Sequence, residues 1–220
     1  MPITELALLR LLPPALFSTS TISPSVLSKL ASAKNLMESF TNYKFYYLRQ
    51  IEDPTLVYVL GEWNSLAQHM EDFIPGEKNQ EALKSLEGEI EVVWLEHFDM
   101  EHANWPVEAL EQGAVLSIAR HFVKSAQVQP FKSTFNHNKK YLEAYISQGS
   151  IGGGWRVDKD EDGKEEFVLF CPWKDIDEHM EFQNAEGFAE YAGIREFVEG
   201  VDVRHVRVME VVGRESEGAS

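Results

Sequence analysis

The sequence predicts an α+β fold in which one ferredoxin-like module, with the element order βαββαβ, is written twice in tandem. Trp63 and His69 recur as Trp173 and His179 at a common offset of 110 residues, which is half of the 220-residue chain. Apolar patterns and turns also follow the same order in each half. Because a repeat of this length fixes the architecture, it is interpreted before any single residue.

The first module opens with an apolar strand over residues 3–12, which two prolines end. Pro24 then starts a helix, because proline is favoured in the first turn and apolar residues recur every three or four positions after it. Two strands joined by a turn follow at residues 43–51 and 56–62.

The repeated segment starts the second helix of the module. Ser65 and Gln68 fit a capping box, in which the two side chains satisfy backbone N–H groups at the start of a helix. Pro75 and Gly76 break that helix, and the closing strand covers residues 90–98.

The second module repeats these elements in the same order. Its counterparts are a strand at 114–123, a helix from Pro130, strands at 155–158 and 166–171 joined by a turn through Asp162 and Gly163, a capping box at Asp175 and Glu178, a break near Gly187, and a strand at 201–211.

The closing strand of the first module carries apolar side chains on both faces, with Ile90, Val92 and Trp94 alternating with Val93 and Leu95. Helices cover only one face of a ferredoxin-like sheet, so we expect the two modules to pack sheet to sheet within one chain. The predicted boundaries are 1–100 for the first module, 101–113 for a linker, 114–212 for the second module and 213–220 for a disordered tail.

Charge excludes two classes of partner. The chain has 20 Lys and Arg against 36 Asp and Glu, a net charge of -16, which repels nucleic acid and anionic membrane surfaces. No apolar run is long enough for a transmembrane helix, and Glu5 and Arg10 interrupt the apolar N-terminus, which favours a strand over a signal peptide. The single Cys171 fits a reducing compartment, so a cytoplasmic location is predicted.

The residues resemble those of the dimeric α+β barrel superfamily, and within it the antibiotic biosynthesis monooxygenase-like (ABM) proteins, particularly the tandem versions common in fungi. The resemblance covers residues 3–98 and 114–211. It rests on Gly61-Glu62-Trp63 followed by His69-Met70, on Phe73-Ile74-Pro75 with Asn79-Gln80, and on Val92-Val93-Trp94 in the closing strand.

This resemblance implies an intramolecular version of the dimeric barrel that binds a hydrophobic small molecule, aromatic or polyketide-like, in secondary metabolism. It implies a monooxygenase or cyclase that works with no cofactor. Three alternatives stay open: a non-catalytic small-molecule binder, a protein in which one half has become a scaffold, and, less favoured, a haem-degrading enzyme. Because each module can cover the other's sheet, the chain can be a monomeric pseudo-dimer or a homodimer.

His69 and His179 are the candidate catalytic residues. Each lies at the fourth position of a helix, on a stripe that is expected to face the sheet and that also carries Met70 or Met180. Burial and the helix N-terminus both disfavour imidazolium, so a neutral imidazole is expected that can take a proton from a phenol or an enolisable carbon. The alternative is a core histidine bonded to a strand carbonyl.

Trp63, Trp173, Met70 and Met180 are the apolar ligand-binding candidates. The tryptophans end strands beside the histidines and can form an aromatic wall for a flat ligand, or simply fill the space between helix and sheet.

Arg10 and Arg120 are the charged ligand-binding candidates, at matching places on the first strands. A guanidinium among apolar neighbours needs a partner, which can be Glu62, a ligand carboxylate or a ketone; a structural ion pair is favoured over ligand binding.

Metal binding and nucleophilic catalysis are not predicted. The histidines at 97, 102, 121 and 205 lack a compact ligand spacing such as His-x3-His. Cys171 has no catalytic signature around it and is interpreted as a small buried hydrophobe.

Overall fold

A computed structural model describes residues 1–18, 21–158 and 165–211. The contacts divide the chain into two compact units. The first comprises Met1–His97 with the described residues from Val208 onward, and the second comprises Phe98–Arg207. Each unit is described on its own.

The first unit has the ferredoxin-like order of elements. Its strands are β1 (Ile3–Leu11), β2 (Leu16–Ser18), β3 (Thr21–Ile22), β4 (Phe45–Gln50), β5 (Leu56–Trp63) and β6 (Ile90–Phe98). Its helical elements are a 3-10 turn (Pro13–Ala15), α1 (Pro24–Thr41), a π-helical turn (Gln68–Phe73) and α2 (Glu77–Ser85). The sheet order is β6-β1-β5-β4, while β2 and β3 pair separately.

Local chemistry explains where α1 begins and ends. The Ser23 hydroxyl accepts a hydrogen bond from the Val26 N–H, and Pro24 occupies the first turn. Asn42 ends the helix in the left-handed conformation at φ 64°. The helix buries Val26 and Leu30 in a core shared with β1, β4 and β5, so the amphipathic pattern is used to cover one face of the sheet.

The second unit repeats this order. Its strands are β7 (Val115–Val123), β8 (Gly152–Trp155), β9 (Glu165–Trp173) and β10 (Val198–Met209), and its α-helices are α3 (Val107–Glu111), α4 (Val128–Tyr145), α5 (Ile176–Glu181) and α6 (Phe188–Ala192). 3-10 turns lie at His102–Asn104, Ser125–Gln127, Phe182–Asn184 and Gly193–Phe197. The sheet order β10-β7-β9-β8 matches that of the first unit, element for element.

The predicted fold class, α+β with tandem ferredoxin-like modules, is therefore confirmed. In both units the first strand lies between the last and the third, and the second strand pairs with the third. Within the described residues, no helix is long and apolar enough to cross a membrane.

Residues 101–113, predicted to be a linker, are structured and belong to the second unit. They contain a 3-10 turn and α3, and they bury Trp105, Ala109 and Leu110. Three apolar side chains removed from water stabilise such a segment by several kcal/mol, on the order of 1.5–3 kcal/mol for each large one. The burial of these apolar side chains explains why the segment packs against its unit.

Strand β8 starts earlier than predicted, at Gly152. A Cβ at Gly152 would overlap the backbone carbonyl of Asn104, so the glycines permit the 101–113 segment to run close against this strand. The predicted turn through Asp162 and Gly163 and the predicted tail at 213–220 lie outside the described residues.

Gly61 leaves room for a buried aromatic ring. It lies in β5 opposite Phe45, and a Cβ there would overlap the Phe45 ring, which packs edge-on against Trp63 at a centroid distance of 5.4 Å.

We expect Gly61→Ala to lower the free energy of unfolding by about 2–3 kcal/mol, because the added methyl displaces a buried ring. Urea denaturation followed by far-UV circular dichroism measures this. Gly193→Ala is the matched control, since a Cβ there meets nothing within 4 Å in the described part of the chain. Equal stability of the two variants would contradict the packing account.

Candidate functional site

A stacked tryptophan–histidine pair occurs in both units. Trp63 ends β5 and His69 lies in the π-helical turn, with ring centroids 4.0 Å apart and planes 7° from parallel. Trp173 ends β9 and His179 lies in α5, with centroids 4.3 Å apart and planes at 12°. The recurrence predicted from the sequence therefore gives the same ring geometry twice.

A second histidine extends each pair. The Nδ1 of His69 lies 2.7 Å from the Nε2 of His97 on β6, and the Nδ1 of His179 lies 2.7 Å from the Nε2 of His205 on β10. One nitrogen must donate and the other accept, so the two rings of a pair cannot both be fully protonated. We call each set a Trp–His–His triad.

The indole N–H of each triad has a different acceptor. In the first unit Trp63 Nε1 donates to Oε2 of Glu5 at 2.7 Å, and in the second Trp173 Nε1 donates to Oγ of Ser117 at 2.9 Å. Glu5 and Ser117 hold the same position in their units. In each unit the tryptophan pairs with a residue of the first strand, Ile3 or Val115, and the acceptor follows two residues later. The acceptor of the indole N–H is thus a carboxyl group in the first unit and a hydroxyl group in the second.

Burial shifts the pKa of Glu5 beside the first triad and of His179 in the second. Glu5 is 4% exposed, and burial raises its pKa to about 7, against the opposing hydrogen bond from Trp63 and the nearby His97. Its Oε2 also lies 3.7 Å from Nε2 of His69. Burial, and then His205, lower the pKa of His179 to about 4, so this imidazole is neutral at pH 7.

The second unit contains a cavity of about 560 Å³ next to its triad. Side chains of α4, α5, α6, β7, β9 and β10 line it, with Trp173, His179 and Met180 at one side. The wall is mostly apolar, with residues such as Leu142, Leu169, Phe182 and Ile194. A largely apolar cavity of this size with a few polar groups is typical of a small-molecule site.

His121, Tyr191 and Arg195 are among the polar residues of this cavity that were not predicted as ligand-binding. Burial lowers the pKa of His121 to about 4, with Arg195 acting in the same direction, so His121 is neutral at pH 7. Burial raises the pKa of Tyr191, and Arg195 opposes this rise. The guanidinium therefore acts electrostatically on both neighbours, and the cavity offers a phenol, an imidazole and a cation to a ligand.

The corresponding cavity of the first unit is smaller, about 140 Å³. Glu5, Tyr47 and His69 supply polar lining, and the remaining wall is largely apolar, with residues such as Leu30, Val59 and Phe73. A cavity of this size holds only about four or five water-sized groups. It is therefore too small for a molecule of several fused rings.

Arg10 and Arg120 do not line either cavity. Arg120 makes a buried two-point ion pair with Glu166 on β9, at 2.5 and 3.0 Å, and Arg10 lies 3.9 Å from Glu91 at the surface. The two are not equivalent either: Arg120 pairs with Val168 and corresponds to Leu8. Both arginines make ion pairs, the role that was favoured over ligand binding, although the partner of Arg10 in this pair is Glu91 and not Glu62.

Met70 and Met180 do not face their sheets as expected. Their exposed fractions are 45% and 55%, although Met180 still contributes to the wall of the larger cavity. Each follows its histidine directly, and adjacent residues of a helix point about 100° apart, so the histidine and the methionine cannot share one face. The inward position belongs to the histidine.

The described segments show neither a cluster of metal ligands nor an activated thiol. These contain no group of three or more His, Cys, Asp or Glu side chains that could hold a metal ion. Burial raises the pKa of the Cys171 thiol well above its usual value, with Glu178 adding to the effect, so the thiol stays protonated and weakly nucleophilic.

No family model and no curated protein matches the sequence. Solved structures do match: an anthrone oxidase-like protein superposes with a TM-score of 0.67 at 12% identity, over 97% of this chain and 96% of that one. A candidate monooxygenase from Fusobacterium nucleatum subsp. nucleatum gives 0.66 at 12% identity, over 97% and 94%. A chlorite dismutase variant from Candidatus Nitrospira defluvii gives 0.60 at 8% identity, over 96% and 92%. At these identities the likeness concerns the fold alone.

Glu5 makes stability depend on pH with a defined sign. The pKa of Glu5 in the folded protein is about 7, above the ordinary 4.5. The contribution of Glu5 to the free energy of unfolding is therefore complete below pH 4.5 and is lost as the pH rises through 7. We expect Glu5→Gln to gain about 2–3 kcal/mol relative to the unmodified protein between pH 5 and 8. Urea denaturation across that range measures the difference, with the exposed Glu91→Gln as control. A difference that does not change with pH would contradict the buried carboxyl.

Proposed function

We propose that the protein is an ABM-like protein of the tandem type and that its second unit binds a hydrophobic aromatic or polyketide-like molecule. The observation that carries this is the cavity of about 560 Å³, with a neutral His179 stacked on Trp173 in its wall. The size suits a molecule of several fused rings. The indole and Phe182 offer flat apolar surface to such a ligand.

The chemistry proposed for this cavity is cofactor-independent oxygenation or cyclisation with His179 as base. In the tautomer in which Nδ1 of His179 donates to His205, its Nε2 carries the lone pair that accepts a substrate proton. Burial makes the imidazolium costly, so the proton transfer needs an acidic substrate and stabilisation of the resulting anion. Arg195 supplies the positive charge in the same cavity.

The names of the similar structures fit an oxidative reaction. One is an anthrone oxidase-like protein, another a candidate monooxygenase and a third a dye-decolorizing peroxidase from Bacteroides thetaiotaomicron. Together with the neutral histidine in an aromatic cavity, they support oxidation of a phenolic or enolisable ring system. His69, although it belongs to an equivalent triad, adjoins a cavity of only about 140 Å³, so we assign the reaction to the second unit.

The remaining parts of the proposal concern partners and location. A hydrophobic small molecule is the proposed ligand, and neither nucleic acid nor a membrane is a proposed partner because the net charge is -16. The buried thiol of Cys171 fits a reducing compartment, and we propose the cytoplasm. The tandem fold is compatible both with a monomeric pseudo-dimer and with a homodimer.

We expect His179→Ala to lower turnover at least 100-fold while ligand binding persists, because the base is lost and the cavity remains. Dithranol, a dihydroxyanthrone, is a suitable probe: an oxygen electrode records uptake while absorbance follows the anthraquinone. One anthrone and one O₂ give one quinone and one water. His69→Ala is the matched control and should keep turnover. Full turnover by His179→Ala would remove this residue as base.

The alternatives give different results with the same probe. Stabilisation against heat without oxygen uptake would identify a non-catalytic binder, since a ligand at about 100 times its Kd stabilises by about 2.7 kcal/mol. Haem degradation is the weaker enzymatic alternative. It requires an absorbance band when the protein is mixed with haemin, and a flat difference spectrum would dispose of it.

We expect Arg195→Gln to lower kcat/KM about tenfold, because the cation that stabilises the substrate anion is replaced by a neutral amide of similar length. Arg204→Gln is the control, since Arg204 is exposed like Arg195 but pairs with Asp202 at 2.8 Å and does not line the cavity. Steady-state oxygen uptake measures both. Equal losses in the two variants would mean a general effect of charge and would contradict a local role for Arg195.

A further inference from the structure

The first unit holds a buried acid at the end of a small apolar cavity. Oε2 of Glu5 is bound by the Trp63 indole N–H at 2.7 Å and lies 3.7 Å from His69 Nε2, and the side chain is almost fully buried. The same residue lines the 140 Å³ cavity. At the equivalent position of the second unit Ser117 presents a hydroxyl. Of these two equivalent positions, only the one in the first cavity carries a carboxyl group.

The wall of this cavity is apolar except for a few polar groups. Glu5, Tyr47, His69 and Asn79 supply them, and the Tyr47 hydroxyl already donates to the Leu30 carbonyl at 3.1 Å and the Asn79 amide to the Ile74 carbonyl at 2.9 Å. Leu83 and Val92 also line the cavity, and their exposed fractions of 44% and 51% show that this part reaches the surface. Glu5 is only 4% exposed, so a ligand that enters past them reaches the carboxyl inside the cavity.

We propose that this cavity is a separate binding site for a short alkylammonium ion, whose charged head pairs with Glu5 and whose apolar stem points to the surface. The volume admits about five heavy atoms, by comparison with the space taken by a water molecule. The fold has already removed the Glu5 carboxyl from water, so a cation that enters recovers charge–charge attraction with no further desolvation of the acid. The site differs in ligand class from the aromatic cavity and does not depend on the function proposed for it.

The pairing has a pH dependence that follows from the groups around Glu5. These are Trp63, His69, Tyr47 and, through its charge, His97. Glu5 is mostly protonated at pH 6 and mostly ionised at pH 8, whereas an alkylammonium, like a lysine side chain, stays charged at both. Binding of the cation should therefore be about tenfold tighter at pH 8 than at pH 6.

The experiment uses the full chain and three probes of four carbons each: n-butylammonium, n-butanol and butyrate. Two-dimensional NMR of the Trp63 indole N–H reports binding at Glu5, and the Trp173 signal serves as an internal reference. We expect saturable binding of n-butylammonium, at least tenfold weaker binding of the alcohol and none of butyrate. Glu5→Gln should weaken n-butylammonium binding at least tenfold, and the exposed Glu91→Gln should not change it.

Further variants keep the proposal open to refutation. Ala33→Leu narrows the cavity without touching the charge and should also weaken binding. His179→Ala should leave amine binding unchanged, which separates this site from the aromatic one. If Glu5→Gln does not fold, the preference for amine over alcohol and its pH dependence decide. Absence of saturable binding, equal binding of amine and alcohol, or unchanged binding by a folded Glu5→Gln would each overturn the proposal.

Discussion

The contact on which each unit depends is the stacking of an imidazole on an indole at the end of the third strand. It fixes the helix that follows the strand, because the histidine belongs to that helix and the tryptophan to the sheet. The second histidine, on the closing strand, then holds the first one by a hydrogen bond of 2.7 Å in both units. One aromatic contact and one hydrogen bond thus connect three elements, and the histidine of each stacked pair also lines the cavity of its unit.

Tandem duplication allows these equivalent sites to differ. In a symmetric homodimer one substitution alters both copies of a site, whereas here Glu5 and Ser117 occupy one structural position in two versions. The carboxylate accompanies a small cavity and the hydroxyl a large one. The helix after the third strand differs as well: the first unit has a π-helical turn and the second a regular α5. Such turns are frequent at functional sites, and this one carries the histidine next to the buried acid.

Much of this architecture could be predicted from the sequence, because the repeated Trp and His mark the same junction twice and the capping residues locate the helix start. Asp175 does cap α5, accepting from the Glu178 N–H at 2.8 Å. His97 and His205 could not be paired with their partners, since a strand residue and a helix residue far apart in sequence have no common period. The signal was present: each closing strand carries a histidine at a similar distance from the repeated tryptophan. The supposed match of Arg10 with Arg120 failed because an apolar strand can be shifted by two residues without changing which side chains face the core.

The stacked rings also give the molecule an optical property. Trp63 and Trp173 lie fully inside the protein, each with an imidazole in face contact at 4.0 and 4.3 Å. An imidazole so close to an indole alters its excited state according to the proton that the imidazole carries, so each half contains an intrinsic fluorophore that responds to its own histidine. Once separated from the emission of the other three tryptophans in the chain, the emission of Trp63 and Trp173 would report proton movements at the two sites without any added label.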